Sequence, residues 1–360
     1  MCGPDAPPPE KDYVTPQCLR PAGAAGGADG DLVIENIPLT FEGYTYGPSQ
    51  IAYIKGAPPR PVVLIHPNYA GLKQFDIDQA PGAWAFLAKC GYVGFALDLY
   101  KDVEVGDEVA ASGGPNSPAF IAEVEYKLGD RNPPRDRETS EGRKAGAMHF
   151  QGAFAAMNGL LRNPIYWRGL MAAYLDAAFA HSAVEPGLAA AIGYCFGGMC
   201  CLEQVRAGDT LQAIVSFHGL LHSRPTTLEE PLNPMKRLTK EQYEADIEQP
   251  VNSYDTECVV LIENGDLDGE VPQESIDEWK VEMDEHSIDW RFNNHAQTPH
   301  GFALAEGVWS TAYTEAADRR STLSMLSLFA EVWPSYPQYA VESNACGTAL
   351  GQAVVSAAKL

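Results

Sequence analysis

Short, continuous apolar runs recur along the chain and alternate with longer stretches of helical periodicity. The apolar runs occupy residues 61–66, 92–97, 189–192, 211–217 and 257–262, and residues 288–292 are predicted as a last strand. A run of this kind predicts a strand that is buried on both faces of a sheet. The helical stretches occupy residues 76–90, 144–161, 166–181, 199–207, 272–285 and 316–332. Because strand and helix alternate from residue 61 onward, the pattern predicts a mostly parallel, twisted sheet with helices on both faces.

Other segments depart from this alternation. Residues 32–43 and 50–55 alternate between apolar and polar positions, which predicts antiparallel edge strands. Residues 101–146 and 223–250 are polar and rich in turn-forming residues. We interpret them as two excursions from the sheet that could form a cap over one edge.

The two ends of the chain differ in composition from the part between them. Residues 1–30 are rich in Pro, Gly and Ala, which favours a flexible N-terminal arm. We expect a single α/β domain over residues 31–335, followed by a C-terminal tail of small residues over 336–360.

Charge and targeting signals narrow the choice of partners and compartment. The chain carries 48 acidic and 25 basic residues, for a net charge of -23. Because such a chain repels nucleic acid and anionic membrane surfaces, we expect neither as a partner. The N-terminus does not resemble a signal peptide, and no apolar run approaches the ~20 residues of a membrane span. We expect a cytoplasmic protein; the alternative is a peroxisomal one, because Ala358-Lys-Leu360 is close to the Ser-Lys-Leu address.

One strand is followed at once by a glycine-framed turn, Gly193-Tyr-Cys-Phe-Gly197. A nucleophile with a small residue two positions before it and two positions after it, between a strand and a helix, is typical of a nucleophile elbow. Glycine is needed because the turn brings positions 193 and 197 close together, and β-carbons there would collide. The N-terminus of the following helix points at the Cys195 sulfur and favours the thiolate. A buried cysteine on an ordinary glycine turn is the simpler interpretation, and the partner residues decide between the two.

The chain contains eight cysteines, which form no CxxC pair and no spacing typical of metal ligands. We therefore predict no metal site, and we interpret the adjacent Cys200 and Cys201 as packing residues of the elbow helix.

Candidate partners for Cys195 follow later strands. Asp266 and Asp268 follow the strand at 257–262, and His300 follows the strand at 288–292. The order nucleophile, acid, histidine is the one expected for an α/β-hydrolase. A thiol needs an imidazole to take its proton, and the imidazole needs a carboxylate to hold its tautomer.

Some of these assignments have alternatives. We prefer Asp268 to Asp266 because Asp268 lies three residues before Val271-Pro272, whereas Asp266 could be a turn residue after Asn264-Gly265. His66 and His218 also end strands, and we favour structural or site-lining roles for both.

A tetrahedral oxyanion needs two hydrogen-bond donors that are fixed in advance. We assign these to the backbone N–H of Phe196, at the start of the elbow helix, and to the N–H of Tyr69. Tyr69 lies in the loop 67–71 after the first buried strand. A plain strand-to-helix turn is the alternative for this loop.

Four motifs together resemble the dienelactone hydrolase family over about residues 45–335. The motifs are Gly193-Tyr-Cys-Phe-Gly-Gly198, Asp98-Leu-Tyr100, Gly265-Asp-Leu-Asp-Gly-Glu-Val-Pro272 and His300-Gly-Phe302. This resemblance implies an α/β-hydrolase fold and cleavage of small ester or lactone substrates through a thioester, without a cofactor. It assigns the nucleophile to Cys195, the acid to Asp268, the base to His300 and the oxyanion donors to Phe196 and Tyr69.

The chain departs from the family pattern at two positions. The enzymes that act on dienelactone carry a glutamate that interacts with the resting cysteine, and Asn68 stands at that place. They also carry an arginine that grips the substrate carboxylate, and Leu304 stands there. We assign Asn68 to substrate binding and expect a substrate less anionic than dienelactone. A binding protein that kept the fold without catalysis is the alternative, and an acyltransferase is a third interpretation.

Overall fold

The computed structural model describes residues 19–21, 32–69, 71, 83–100, 156–224, 239–303, 312–336 and 339–341. Its strands are β1 (Leu19–Pro21), β2 (Leu32–Phe41), β3 (Tyr44–Ile54), β4 (Arg60–His66), β5 (Val93–Ala96), β6 (Val184–Tyr194), β7 (Ala213–Phe217), β8 (Val259–Gly265), β9 (Asp289–His295) and β10 (Tyr339–Val341). Its helices are α1 (Ala83–Lys89), α2 (Pro164–Phe179), α3 (Phe196–Ala207), α4 (Lys240–Asp246), α5 (Gln273–Glu285) and α6 (Glu315–Val332). Residues 156–161 are also helical.

One 8-stranded sheet forms the centre of the fold, in the order β2-β3-β5-β4-β6-β7-β8-β9. Strands β2, β3 and β5 pair antiparallel, and every pairing from β5 across to β9 is parallel. The predicted parallel sheet with antiparallel edge strands is therefore confirmed. Strand β4 has β5 on one side and β6 on the other, so the strand order reverses there. A crevice opens beyond the carboxyl ends of the strands at such a point.

Side chains of the central strands alternate between two hydrophobic layers, one on each face. Val62 and Leu64 of β4 belong to the layer that contains helices α2, α3 and α5. Val63 and Ile65 belong to the layer that contains α1 and α6. Both faces are covered, which explains why these strands read as continuous apolar runs.

Two elements begin earlier than the sequence predicts. Strand β6 begins at Val184 rather than at 189, and its pairing with β4 shifts register between Arg60 and Val62. Pro186 and Gly187 lie in this irregular part, and they are residues that normally weaken a strand prediction. Helix α3 begins at Phe196 rather than at 199, because packing overrides the low helix propensity of the glycines in its first turn.

Several predicted segments lie wholly or partly outside the described residues. The excursion at 101–146 lies outside them, as do residues 225–238 of the second excursion. Helix α4 occupies part of the rest, and Thr239 begins it with a capping box. In the predicted arm and tail, β1 pairs antiparallel with β10. Of the helices that the structure describes, none combines the length and apolar character needed to cross a membrane.

Candidate active site

Cys195 lies in a sharp turn between β6 and α3. Its backbone has φ 55° and ψ -114°, a strained conformation for a residue with a side chain. A β-carbon on Gly193 would lie 2.0 Å from the Gly197 carbonyl oxygen, and one on Gly197 would lie 2.1 Å from the His66 carbonyl oxygen. The steric need for glycine at both positions is therefore confirmed, and the turn has the shape of a nucleophile elbow.

The Cys195 thiol is free, and the residue is 5% exposed. It occupies the N-cap of α3, so the first backbone N–H groups of the helix, beginning with Phe196, have no acceptor within the helix. Phe196 is held by a stacked contact with Trp167, with ring centroids 5.4 Å apart. This stack fixes the Phe196 side chain at the start of the helix.

A buried carboxylate and an imidazole meet in the loops that follow β8 and β9. Nδ1 of His300 lies 2.9 Å and 3.1 Å from the two carboxylate oxygens of Asp268. The Asp268 side chain is fully buried, whereas 22% of the His300 side chain is exposed. The backbone N–H of Glu270 also donates to Asp268, at 2.9 Å. This geometry leaves the second ring nitrogen of His300 for another partner.

Backbone hydrogen bonds join these two loops. The Asp266 N–H donates to the His295 carbonyl and the Leu267 N–H donates to the Thr298 carbonyl, both at 2.9 Å. The Asp266 carboxylate accepts a bond from Asn294 at 3.2 Å. Asp266 therefore supports the loop. The geometry favours Asp268 as the acid that contacts the imidazole.

The His300 imidazole interacts with Cys195 as well as with Asp268. Burial alone would lower the pKa of His300, but the charge of a Cys195 thiolate and the hydrogen bonds to Asp268 and Cys195 raise this pKa well above its ordinary value. The arrangement therefore favours the protonated imidazolium form of His300. The structure thus brings together the three side chains that the sequence proposed as nucleophile, base and acid.

The loop 67–71 follows β4 next to the elbow, and it is called here the oxyanion loop after the role that the sequence predicts for Tyr69. Asn68 and Tyr69 are both buried. The Gly71 N–H donates to the Asn68 carbonyl at 3.0 Å, which closes a turn around Tyr69. Strand β4 pairs with β6, with His66 opposite Gly193, so the oxyanion loop and the elbow leave neighbouring strands at the same edge.

The two alternative histidines that the sequence offered, His66 and His218, are fully buried. His66 bonds to Gln204 at 2.7 Å, and burial lowers the pKa of His66 to about 4, so its ring is neutral. His218 has φ 40° and packs edge-on against His300, with ring centroids 5.1 Å apart. The structural role predicted for His66 fits this geometry, and His218 packs against the imidazole of His300.

A family model described as the dienelactone hydrolase family matches residues 41–333. The chain belongs to the dienelactone hydrolase family. Among solved structures it is similar to P91, a dienelactone hydrolase-like promiscuous phosphotriesterase from metagenomic libraries, with 24% identity, a TM-score of 0.56, and coverage of 84% of this chain and 99% of that one. It is also similar to the structure called m3DLH, with 25% identity, a TM-score of 0.55 and the same coverage of 84% and 99%.

A curated relative is the uncharacterised protein K02A2.1 of Caenorhabditis elegans, which is 25% identical over 166 residues, or 45% of this chain and 90% of that protein. Membership of the dienelactone hydrolase family supports a hydrolase on an α/β-hydrolase fold. Of the two departures from the family pattern, Asn68 is buried in the oxyanion loop and Leu304 lies outside the described residues.

One contact at this site, between Tyr100 and Tyr69, was not predicted from the sequence. The Tyr100 hydroxyl donates to the carbonyl of Tyr69 at 2.7 Å. The Asp98-Leu-Tyr100 motif was visible in the sequence, but no periodicity or spacing pointed to the partner. The contact depends on β5 lying beside β4, which only the sheet order reveals.

Proposed function

We propose that the chain hydrolyses an ester or lactone bond of a small molecule, with Cys195 as nucleophile. His300 exchanges the proton, and Asp268 holds the imidazole in the correct tautomer. The observation that carries this proposal is the unbroken series of interactions from the Cys195 sulfur through His300 to the buried Asp268 carboxylate. No cofactor is required, because every step uses groups of the chain, the substrate and water.

Acylation begins with attack of the Cys195 thiolate on the substrate carbonyl carbon, which moves the carbonyl π electrons onto oxygen. When the tetrahedral intermediate collapses, the C–O bond of the ester breaks. The leaving alkoxide takes the proton from the His300 imidazolium, and a thioester remains on Cys195. A transferase would share this intermediate and differ only in the acceptor.

Deacylation returns the enzyme to its resting state. Neutral His300 removes a proton from water, and the hydroxide oxygen attacks the thioester carbonyl. Collapse of the second tetrahedral intermediate releases the carboxylic acid and the thiolate, so the thiolate–imidazolium pair forms again. Asp268 stabilises the imidazolium in both halves of the reaction without taking its proton.

Both tetrahedral intermediates place negative charge on the former carbonyl oxygen. We assign its stabilisation to the N–H groups of Phe196 and Tyr69, which belong to the start of α3 and to the oxyanion loop. Asn68 lies beside these donors and offers a neutral amide to the substrate. The expectation of a substrate less anionic than dienelactone rests on Leu304, which cannot supply the bidentate pairing of an arginine with a carboxylate.

Turnover of a short-chain aryl ester tests the proposal. We expect Cys195→Ala to reduce the rate to that of the uncatalysed reaction, because the thioester can no longer form. Cys195→Ser should retain a small residual rate, since a hydroxyl needs stronger base assistance than a thiol. Equal rates for the wild type and Cys195→Ala would contradict the proposal, as would the absence of a thioester adduct on the Cys195 peptide by mass spectrometry.

A further inference from the structure

The Asp98-Leu-Tyr100 segment has no role in the mechanism above, yet it lies directly beside the oxyanion loop. Strands β4 and β5 are parallel neighbours. The Leu97 N–H donates to the Ile65 carbonyl at 3.0 Å, which extends the pairing beyond the end of β5. The two chains therefore leave the sheet side by side.

Tyr100 reaches the oxyanion loop from a fixed turn. Its hydroxyl donates to the Tyr69 carbonyl at 2.7 Å, and the two residues are 4% and 8% exposed. Its backbone N–H donates to the Asp98 carboxylate at 3.2 Å, which is the bond of an Asx turn. The Asp98 carbonyl in turn accepts a bond from the Tyr174 hydroxyl. Since both ends of the Tyr100–Tyr69 contact are buried, water cannot easily replace it.

Two hydrogen bonds fix the peptide units on either side of the Tyr69 α-carbon. The Gly71 N–H binds the Asn68 carbonyl, which shares a planar peptide unit with the Tyr69 N–H. The Tyr69 carbonyl belongs to the next peptide unit, the central one of the turn. The two units share the Tyr69 α-carbon, so the bond from the Tyr100 hydroxyl to the Tyr69 carbonyl anchors that α-carbon and with it the position of the Tyr69 N–H.

We infer that Tyr100 is a positioning residue for the oxyanion loop. Its hydroxyl orients the Tyr69 backbone and thereby keeps the Tyr69 N–H directed at the developing oxyanion. Tyr100 is assigned no contact with a reacting atom and acts through the loop. The inference rests on the proposed function, because it assigns a supporting role to a donor that only that mechanism uses.

The variant Tyr100→Phe removes the hydroxyl and keeps the ring. Loss of one oxyanion donor lowers kcat by about 10²–10³-fold in other hydrolases, and a donor that is misaligned rather than lost should cost about 10–100-fold. KM for a short-chain aryl ester should change little, because the bond serves the transition state. Alkylation of Cys195 by iodoacetamide should keep its rate, since the thiolate displaces iodide from a saturated carbon and no oxyanion forms.

Tyr243→Phe is the matched control. Tyr243 is also a buried tyrosine, at 3% exposure, but it lies on α4 and its hydroxyl bonds to Gln249. We expect this variant to keep both the ester and the alkylation rates. The pattern that supports the inference is therefore a fall in kcat for Tyr100→Phe alone, with alkylation unchanged.

The other outcomes overturn the inference in distinguishable ways. An unchanged kcat for Tyr100→Phe in an active wild-type background overturns the inference alone. A parallel fall in ester turnover and alkylation also overturns it, because a general disturbance of the site would then explain the loss. A wild type without ester turnover overturns the proposed function, and this inference with it.

Discussion

Helix α3 has ionisable side chains at both ends. The group at its start and the group at its end differ in whether their hydrogen bonds leave a side chain able to react. At its N-terminus Cys195 pairs with His300, whose side chain remains 22% exposed. The arginine–glutamate cluster lies around the last turns of α3. It consists of Glu203 and Arg206 of α3, Arg168 of α2 and Glu282 of α5. All four of these residues are at most 9% exposed.

The arginine–glutamate cluster is saturated. Arg206 bonds to Glu203 at 2.9 Å and to Glu282 at 2.7 Å, and Arg168 bonds to Glu203 at 2.8 Å. Every guanidinium nitrogen of the two arginines has an acceptor. The pKa values of Glu203 and Glu282 are lowered, because the arginine charges outweigh the opposing effect of burial. Buried charge by itself therefore does not mark a functional site in this molecule.

The candidate site differs from the cluster in three physical respects. Its proposed nucleophile has a strained backbone, its imidazole is partly exposed, and the first N–H groups of the helix have no acceptor within the helix. These features lower stability and leave groups free to react with a substrate. In the cluster, by contrast, the hydrogen bonds hold helices together. Substitutions at the candidate site should therefore lower activity more than stability, and substitutions in the cluster should lower stability more than activity.

The largest expected effect is at Asp268, the proposed acid of the triad. Asp268→Asn should lower kcat by about 10³-fold or more, because the amide favours the wrong imidazole tautomer and does not stabilise the imidazolium. Asp266→Asn is the matched control, since Asp266 is exposed and bonds to Asn294. Ester turnover, with urea unfolding to confirm that both variants fold, provides the measurement. Equal losses in the two variants would contradict the assignment of Asp268.

This prediction also shows how far the sequence leads. The apolar runs identified strands β4 to β8, because strands buried on both faces have no polar alternation to obscure them. The nucleophile turn was predictable for a steric reason, since only glycine fits at positions 193 and 197. Chain order and turn residues were enough to propose His300 and to restrict the acid to two aspartates.

The remaining features depend on the order of the strands in space. The bond from Tyr100 to Tyr69 joins residues 31 apart in the chain, and it exists because β5 lies beside β4. The contact of His218 with His300 joins the ends of β7 and β9, which have β8 between them in the sheet. Local periodicity carries no information about such contacts, because it reports burial and not the identity of the neighbour.

A smaller effect on catalysis, with a large effect on stability, is expected in the arginine–glutamate cluster. Glu282→Gln removes one of the two carboxylates that pair with Arg206 and leaves Glu203 as its remaining charge partner. We expect a loss of about 1–3 kcal/mol in the free energy of unfolding, the cost of a weakened buried hydrogen-bond pair, with kcat of the folded fraction unchanged. The exposed pair of Arg291 and Glu331 provides the control, since Glu331→Gln should cost no more than about 1 kcal/mol.

The cluster should also determine the response to acid. The folded-state pKa of Glu282 lies below its unfolded value of about 4.3. Its contribution to stability is therefore complete above that pH and is lost as the pH falls through the folded-state pKa. Urea midpoints measured between neutral pH and pH 3 should fall less steeply in Glu282→Gln than in the wild type. Parallel pH profiles would show that this pair does not control acid unfolding.

The smallest expected effect is at Cys200, one turn along α3 from the nucleophile. Burial, together with the neighbouring Cys201, raises the pKa of the Cys200 thiol well above its ordinary value, and both side chains are fully buried in the core. Iodoacetamide at neutral pH should therefore modify Cys195 and leave Cys200 and Cys201 unlabelled until urea unfolds the chain. Cys200→Ala should retain the ester turnover of the wild type, in contrast to Cys195→Ala. Peptide mass spectrometry reads out the labelling, and modification of Cys200 before Cys195 in the folded protein would contradict the contrast between two thiols on the same helix.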